Sequence, residues 1–536
     1  MGWSSAFVSA LNNSAIVPYY ELEFLTLPNG LGDGFTITSD TGAARISEDG
    51  PSMQGTSVIP GRWNVSFGGF TVDVVGDLRP YNEKIAKGQM AILRCAIRMS
   101  GGYSPAEIVG YGQLYSIRGG RQRWTLAFRD LLTTFQTSAS SKITGSVHGT
   151  NASYPEYRLF TNAGRSTGLS APWNGSSATI SVNDGSFFER ESTESGIIKI
   201  THSGGTFYLN MASVAGNNIT ITSSTAAYPS PDASSAVNVA GTQVFNTCRL
   251  KGKPYNIMAK ILRSTGASNP VSAGPHGSRD TYPITWSVGG ELEPQIFDIS
   301  DALTMSEYLR TSTGVTYRWQ IVLDEVPSDG IRNIITRAAS AGQWPVWRQG
   351  AVSWRCAIHP NGFGAFQHPI IADSISDDDI IAIEDHEWFS PDAGVIYNGS
   401  KITFRKTWAS GAEAITGTSG VSGNIRALPA GTNKGYDNSL LYRIDGNESL
   451  MAAADLGRIH PWNVYTHAKI TLRTKLRLST LCAGDIVKLT SAFIYDRDTP
   501  NGRTFNNRRA MVTSVNYSIS RQSCIVSLAI LPDRNL

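Results

Sequence analysis

Charge is the first thing this chain is short of. Asp, Glu, Lys and Arg make up 17% of its 536 residues, against about 25% in an ordinary soluble protein. So sparse a charge complement suits a surface largely covered by other subunits, where charge is costly to bury. Long apolar runs are missing as well. No window approaches the roughly 18 residues of a membrane-spanning helix, so no transmembrane segment is expected. Met1-Gly2-Trp3-Ser4-Ser5-Ala6-Phe7 lacks the basic head and apolar run of a secretory signal peptide. The Asn-x-Ser/Thr triplets at Asn64 and Asn218 therefore carry no weight as glycosylation sites. Cysteine is scarce: Cys95, Cys248, Cys356, Cys482 and Cys524 are an odd five with no CxxC spacing. That argues against a disulfide framework, and buried free thiols are expected.

What is present is glycine, with 53 residues, many Ser, Thr and Asn, and 41% hydrophobic residues. The mix fits several domains of short strands joined by turns. Net charge is +3, but it is unevenly spread. Residues 290–400 hold 16 acidic and 6 basic residues, whereas 450–536 hold 12 basic and 5 acidic. Complementary faces of this kind fix register where they meet. Specific nucleic-acid binding by the basic end is not expected, because its cations are scattered through strand-like sequence.

Four units are readable. Residues 1–140 carry strand patterns at Tyr19–Leu27, Arg62–Val75, Met90–Met99 and Glu107–Ile117, and Trp124–Leu132 runs toward a short helix. Ser and Thr crowd 137–153, a linker into a second unit drawn at 141–245, which is polar and strand-like from 154 onward with a flexible loop at 223–236. A central α+β unit spans 246–440. Its helix candidates are Pro254–Leu262, Asp301–Leu309 and Ser328–Ala339, the last closed by Gly342. Residues 345–405 return to strands, with an acidic loop at Asp377–Asp379, and 409–440 are loop-like. Residues 441–536 form the last unit, with strands at His467–Leu476, Ala483–Thr490, Met511–Ser520 and Ser523–Leu531, and a turn-rich insert holding Arg508 and Arg509.

The order "GDIVKLTS … MVTSVNYS … IVSLAIL" in this last unit resembles the closing barrel of phage tail hub proteins. "RLKGKPYNIMAKILRSTG" at 249–266 resembles the helix that such hubs carry between their two barrels. The resemblance implies a mainly β chain with tail-hub-type β-barrels at both ends, a helical-plus-strand centre and an inserted β domain. It further implies a structural virion protein at the distal end of a bacteriophage tail, made in the host cytoplasm. A homotrimer would form the hub ring of the tail tip or baseplate. Its partners would be a distal tail ring protein, the tape-measure protein and a central fibre or spike, and DNA would pass through the lumen on ejection. The alternative is a carbohydrate-binding adhesin or receptor-binding tail protein, with a bacterial surface glycan held at 154–245 by Trp173, Tyr208 or Tyr228.

Signs of chemistry are weak. Gly164-Arg165-Ser166-Thr167-Gly168 matches GxSxG, but Pro172 opposes the helix a nucleophile elbow needs after its serine. Gly394–Lys401 has Ser400 where a P-loop has lysine, and Tyr397–Lys401 reads as a hairpin turn. His359, His368 and His386 lie near Cys356 and Asp377–Asp379 in sequence, yet match no zinc spacing, and a solvated acidic loop is expected there rather than a structural ion. His460 and His467 flank Pro461-Trp462 and are expected to pack or cap. No catalytic residue, metal ligand or cofactor is assigned, and an enzyme is not expected.

Overall fold

A computed structural model describes residues 3–130 except 14, 26–33, 61–62, 82–83 and 86. It describes 165–252 except 174–176, 189–195, 203–204 and 222–240. Beyond those it describes 342–358, 370–390, 462, 467–495 and 504–531, and the short pieces 254, 298, 301, 304–305, 319–323, 335–336, 338–339, 399–406, 413–420 and 434–437. The fold is mainly β.

A short helix opens the chain. In α1 (Ser5–Leu11) the Ser4 hydroxyl accepts from the Phe7 amide, satisfying one of the donors a helix start leaves open. Phe7, Ala10 and Leu11 then form the buried face. Strands β1 (Pro18–Phe24), β2 (Phe35–Thr38), β3 (Ala44–Ile46), β4 (Ser52–Gln54), β5 (Ser57–Ile59), β6 (Asn64–Ser66), β7 (Gly69–Gly76), β8 (Met90–Met99), β9 (Gly102–Tyr103), β10 (Glu107–Gly120) and β11 (Arg123–Asp130) follow. Most join one sheet in the order β2-β1-β8-β10-β11-β7-β4, with β3 also on β7. Alternation turns Tyr20, Leu22 and Phe24, Phe70, Val72 and Val74, and Leu126 and Phe128 onto one core. Phe35 of β2 stacks on Phe24 at 4.5 Å and on Tyr81 at 4.9 Å, closing that core from the far edge. The expected helix at Trp124–Leu132 is instead strand β11 over 123–130. Its partners on both sides, β10 and β7, satisfy the backbone as a ladder, and period-two burial overrides the helical reading.

Strands β12 (Ser166–Gly168), β13 (Thr179–Ser181), β14 (Gly196–His202), β15 (Gly205–Ala215), β16 (Asn218–Ile221) and β17 (Gln243–Asn246) make a separate six-stranded sheet. It has its own core around Ile180, Ile198, Ile200, Met211, Ile219 and Val244. Then come the pairs β18 (Cys248–Gly252) with β19 (Trp319–Leu323), and β20 (Gln343–Arg348) with β21 (Ala351–Cys356). Residues 301, 304–305, 335–336 and 338–339 are helical, which agrees with two of the helix candidates. The candidate at 254–262 lies outside the described residues, apart from a helical Pro254.

Strands β22 (Ile371–Ile375) and β23 (Ile380–Ser390) do not stay with this central stretch. β22 runs parallel to β28 (Ile486–Tyr495), and β23 runs antiparallel to β27 (His467–Lys475). A small sheet of β24 (Gly399–Lys406), β25 (Glu413–Gly420) and β26 (Lys434–Asp437) intervenes in sequence. With β29 (Thr504–Ser518) and β30 (Ser523–Ile530) the C-terminal half reads β22-β28-β29-β30-β27-β23. Its two edge strands are consecutive in sequence, so the turn at 376–379 draws the edges of the sheet together. Inside lie Ile470, Leu472, Val487, Leu489, Ala510, Val512, Val526 and Leu528, all essentially sealed from solvent. The turn-rich insert is shorter than the sequence suggests. Arg508 and Arg509 lie within β29, opposite Leu489 and Lys488, and Arg508 is buried.

Candidate functional site: the joint between the two halves

The two halves are one hydrogen-bonded body. β29 has 15 residues, roughly 50 Å of chain at strand rise, longer than one core needs. Ala510, Val512 and, past a bulge between Val512 and Ser514, Val515 face the C-terminal core, Tyr517 packs against both cores, and Ile519 just beyond the strand lies in the N-terminal one. One extra residue shifts the phase of a period-two strand and bends it. The bulge so keeps Val515 on the same side as Val512, and the strand runs on into the N-terminal half, where Asn516 and Tyr517 pair with Gln54 and Met53 of β4. The Gly55 amide donates to Val515 O at 3.0 Å. The Ser518 hydroxyl donates to Pro51 O at 3.2 Å, and Tyr20 Oη and Ser520 Oγ share a bond of 3.0 Å. Tyr517 donates its hydroxyl to Val109 O at 3.4 Å and meets Trp3 edge-on at 6.1 Å. Burial pushes the Tyr20 and Tyr517 phenols well up, so both remain neutral.

The β20–β21 hairpin wedges against this seam. Gln349 and Gly350 both have positive φ, 47° and 79°, the signature of a tight two-residue hairpin turn. A Cβ at position 350 would stand 2.4 Å from Ile108 O, so only glycine lets the tip meet β10. The Trp347 amide donates to Thr56 Oγ1 at 3.2 Å, and Gln349 Nε2 donates to Thr480 O at 3.3 Å. Three fully buried tryptophans from distant positions meet beside it: Trp344 lies 5.8 Å from Trp63, and Trp462 lies 6.5 Å from Trp63. Trp344 Nε1 donates to Ala483 O and Trp462 Nε1 to Ile358 O, so both of these indoles have a partner. A cavity lined by Met53, Thr56, Val109, Arg348, Cys482 and Tyr517 marks where the hairpin and the two halves converge.

The hairpin also carries a buried cation. Arg355 is 2% exposed. Its Nε donates to Asp485 Oδ1 at 3.0 Å, and its Nη1 donates to Asp301 Oδ2 at 2.5 Å and to Trp354 O at 2.8 Å. Asp301 also accepts from Arg348 Nη1 at 2.9 Å and from the Ser353 hydroxyl. Asp485 accepts the Cys482 amide at 2.9 Å. Burial works against the charge on Arg355, but the two carboxylates outweigh it and hold the guanidinium protonated. Burial likewise raises Asp301, and Arg355 and Arg348 outweigh that and hold it below the usual carboxylate range. Gly484, at φ 104°, lets the backbone turn past this group: a Cβ there would stand 2.9 Å from the Trp344 ring and 2.9 Å from Arg355 Cβ.

A second arginine closes the acidic turn. Arg477 donates to Asp379 Oδ1 and Oδ2, both at 2.6 Å, to Asp373 Oδ2 at 2.8 Å and to Ser374 O at 2.7 Å. Asp379 is buried and also accepts the Ser376 amide, so the solvated loop expected from Asp377–Asp379 is instead a turn neutralised by an arginine. Burial raises Asp379, but its bonds to Arg477 and Ser376 outweigh that and lower its pKa. Arg473 meets Glu384 at 2.7 Å. The acidic 290–400 stretch and the basic 450–536 stretch therefore meet within one chain.

The structure scatters the other sequence candidates. Ser166 is exposed on strand β12, not at a strand-to-helix elbow. Gly399, Ser400 and Lys401 begin strand β24 where a hairpin turn was expected, and no phosphate-cradling helix follows. Cys356 is buried in the hairpin and His386 lies on β23, while His359, His368 and His460 lie outside the described residues. Burial lowers the His386 pKa. Among the described residues no group of His, Cys, Asp and Glu is placed to hold a metal ion. Trp173 is 3% exposed in the core of the six-stranded sheet, so it offers no platform for a sugar. Tyr228 and the Tyr208 side chain lie outside the described residues. Cys95, Cys356, Cys482 and Cys524 are buried free thiols. Burial raises Cys524 to about 12.

Sequence reasoning missed Arg355, Asp485 and Tyr517 as joining residues. The one available signal was a lone arginine in the apolar run around Trp354, since a buried cation implies carboxylates nearby.

No protein-family model matches the chain. No curated protein matches it. Among solved structures, a 43 kDa tail protein of prophage MuSo2 from Shewanella oneidensis is 10% identical, with 96% of this chain and 99% of that one aligned and a TM-score of 0.34. The virion of a native gene transfer agent particle supplies a chain 12% identical, aligned over 45% of this chain and 84% of that one, with a TM-score of 0.16. A chain of the lidless PdpA-VgrG complex is 8% identical over 98% of this chain and 67% of that one, with a TM-score of 0.27.

Proposed function

We propose that this chain is a structural protein of a bacteriophage tail, the hub ring of the tail tip. One observation carries the reading. Two strand-built halves, each with its own core, are joined across their seam by strand pairing between β4 and β29. Such a unit suits load-bearing assembly. Three copies would present six halves around a lumen, matching a sixfold tube above and a threefold fibre or spike below. The distal tail ring protein and the tape-measure protein would contact the ring, and DNA would cross the lumen without sequence-specific contacts. The six-stranded sheet, with a core of its own, would sit on the outside.

The reading assigns no catalysis to any side chain. Ser166→Ala should leave particle infectivity unchanged, and a loss of infectivity in fully assembled particles would overturn that assignment. The function itself is tested by native mass and negative-stain imaging of the purified chain. A ring of three copies with a central hole is expected. A monomer at every concentration, or an elongated rod, would sink it.

A further inference from the structure

The outer face of the β10–β11 hairpin is basic. Between Ile108 and Arg129 the chain holds four arginines, Arg118, Arg121, Arg123 and Arg129, and no acidic residue. All four are exposed. Period-two alternation turns Leu126 and Phe128 into the core, so Arg123, Thr125 and Arg129 stand on the opposite face. Arg118 pairs with Thr125 across the ladder and shares that face. Arg45 joins it, because β3 and β11 each place an arginine opposite Val75 of β7. Arg121 forms the tip at φ 46°. Gly119 before it has φ 131°, and a Cβ there would stand 2.2 Å from Arg123 O. Arg129 lies over the exposed Tyr115 ring at 4.9 Å.

The carboxylates around this face do not neutralise it. Asp73 and Asp49 share Arg123, at 3.0 and 3.1 Å, and Asp77 is held by Arg79 at 2.8 Å. Exposed Glu48 adds one more. Burial raises Asp73, but Thr125, Arg123 and Arg521 outweigh that and hold it below the usual carboxylate range, which puts Arg521 within reach of the same face. Arg45, Arg118, Arg121 and Arg129 have no carboxylate partner among the described residues. Large apolar side chains are few: Val75 is half-buried, and Tyr115 lies under Arg129. A protein partner would need a desolvated apolar centre, which this face does not offer. A phosphodiester backbone needs cations at repeated intervals, and the planar guanidinium fork matches its oxygens.

We propose that this arginine face binds the phosphate backbone of double-stranded DNA, without regard to base sequence. The ladder from Gln113 to Gly120 runs roughly 23 Å. A duplex carries one negative charge per about 1.7 Å of its axis, so the face spans several phosphates. Arg118, Arg121 and Arg129 would each contact one, with Arg45 and Arg123 alongside. Contacts of this kind let a duplex slide rather than fixing its register. The inference goes beyond the ring reading, which gives DNA a path but no contact. It concerns a single copy in solution and stands or falls apart from the ring.

The test is fluorescence anisotropy of a short labelled duplex of mixed sequence, titrated with the full chain at stepped salt. Binding is expected at low salt, equally for two unrelated sequences, with the logarithm of the binding constant falling linearly in the logarithm of salt. Arg118→Gln with Arg121→Gln should weaken binding at least about tenfold at low salt. The same pair should flatten the salt slope by about 2, since each lost phosphate contact removes about 0.9. That variant should melt as wild type does, because both positions are exposed. Arg473→Gln with Lys475→Gln removes two exposed cations from β27 and should leave affinity and slope unchanged, although net charge falls equally. No binding by wild type at low salt, or equal losses from the two pairs, overturns the inference. So does competition by polyglutamate, or by phosphatidylglycerol vesicles, that matches unlabelled duplex at equal charge, which would mark an acidic protein or a membrane as the partner.

Discussion

Two arginines answer the same acidic stretch of chain in opposite surroundings. Arg355 is 2% exposed, enclosed by tryptophans, and bonded to carboxylates from residues 301 and 485. Arg477 is 30% exposed and bonded to carboxylates 98 and 104 positions earlier. The chemistry is identical and the consequence differs. A pair in water adds little, because solvent already screens it and two long side chains must be ordered. A buried pair need not stabilise the fold relative to apolar packing, but removing one member leaves an uncompensated charge inside. Arg355 therefore fixes which segments must be present before the joint can close, whereas Arg477 tunes one turn.

The largest expected effect follows directly. Arg355→Met roughly keeps the volume, leaves Asp485 without its cation and Asp301 with Arg348 alone, and should cost about 3–5 kcal/mol in thermal or denaturant unfolding. An unchanged midpoint would show that the joint does not depend on the charge. Next comes Gly484→Ala, where a positive φ and a methyl group driven toward Trp344 should cost about 1–3 kcal/mol. Asp379→Asn should matter less and in a pH-dependent way. The folded pKa of Asp379 is depressed, so its contribution is complete above the usual carboxylate range and lost as pH falls through the folded value. The variant should differ from wild type at neutral pH and converge with it in acid, a pattern that melting at stepped pH reads out. A constant gap down to acid pH would place the effect in packing. Smallest is Glu384→Gln at the exposed Arg473 pair, worth at most about 1 kcal/mol and vanishing in high salt.

The charge asymmetry read from the sequence was sound at the level of segments. It could not say which residues pair, because Arg477 finds Asp379 only after β22 and β23 join the C-terminal sheet. That pairing is non-local, and nothing in the pattern of 371–390 names its partner. The strands of the last unit were legible because Ile470, Leu472, Val526 and Leu528 alternate cleanly. The bulge in β29 was not legible, since Val512 and Val515 look like ordinary members of one strand until the partner's register is known. Helix α1 was passed over for a different reason. Seven residues give too short a period to stand out, although Ser4 as cap with Phe7, Ala10 and Leu11 behind it is a helix start in miniature.

The pairing of β4 with β29 also sets a timetable for synthesis. The Gly55 amide bonds to Asn516 Oδ1 across 461 positions of chain, and Tyr20 meets Ser520 across 500. At about 5–20 residues per second on a ribosome, 461 residues take roughly 20–90 s. For that interval the N-terminal half exists with the edge of β4 unmatched and with the places of Ile519 and Leu476 in its core empty. A nascent chain in this state is open to attack by proteases and to capture by chaperones, and the arrival of β29 ends the exposure.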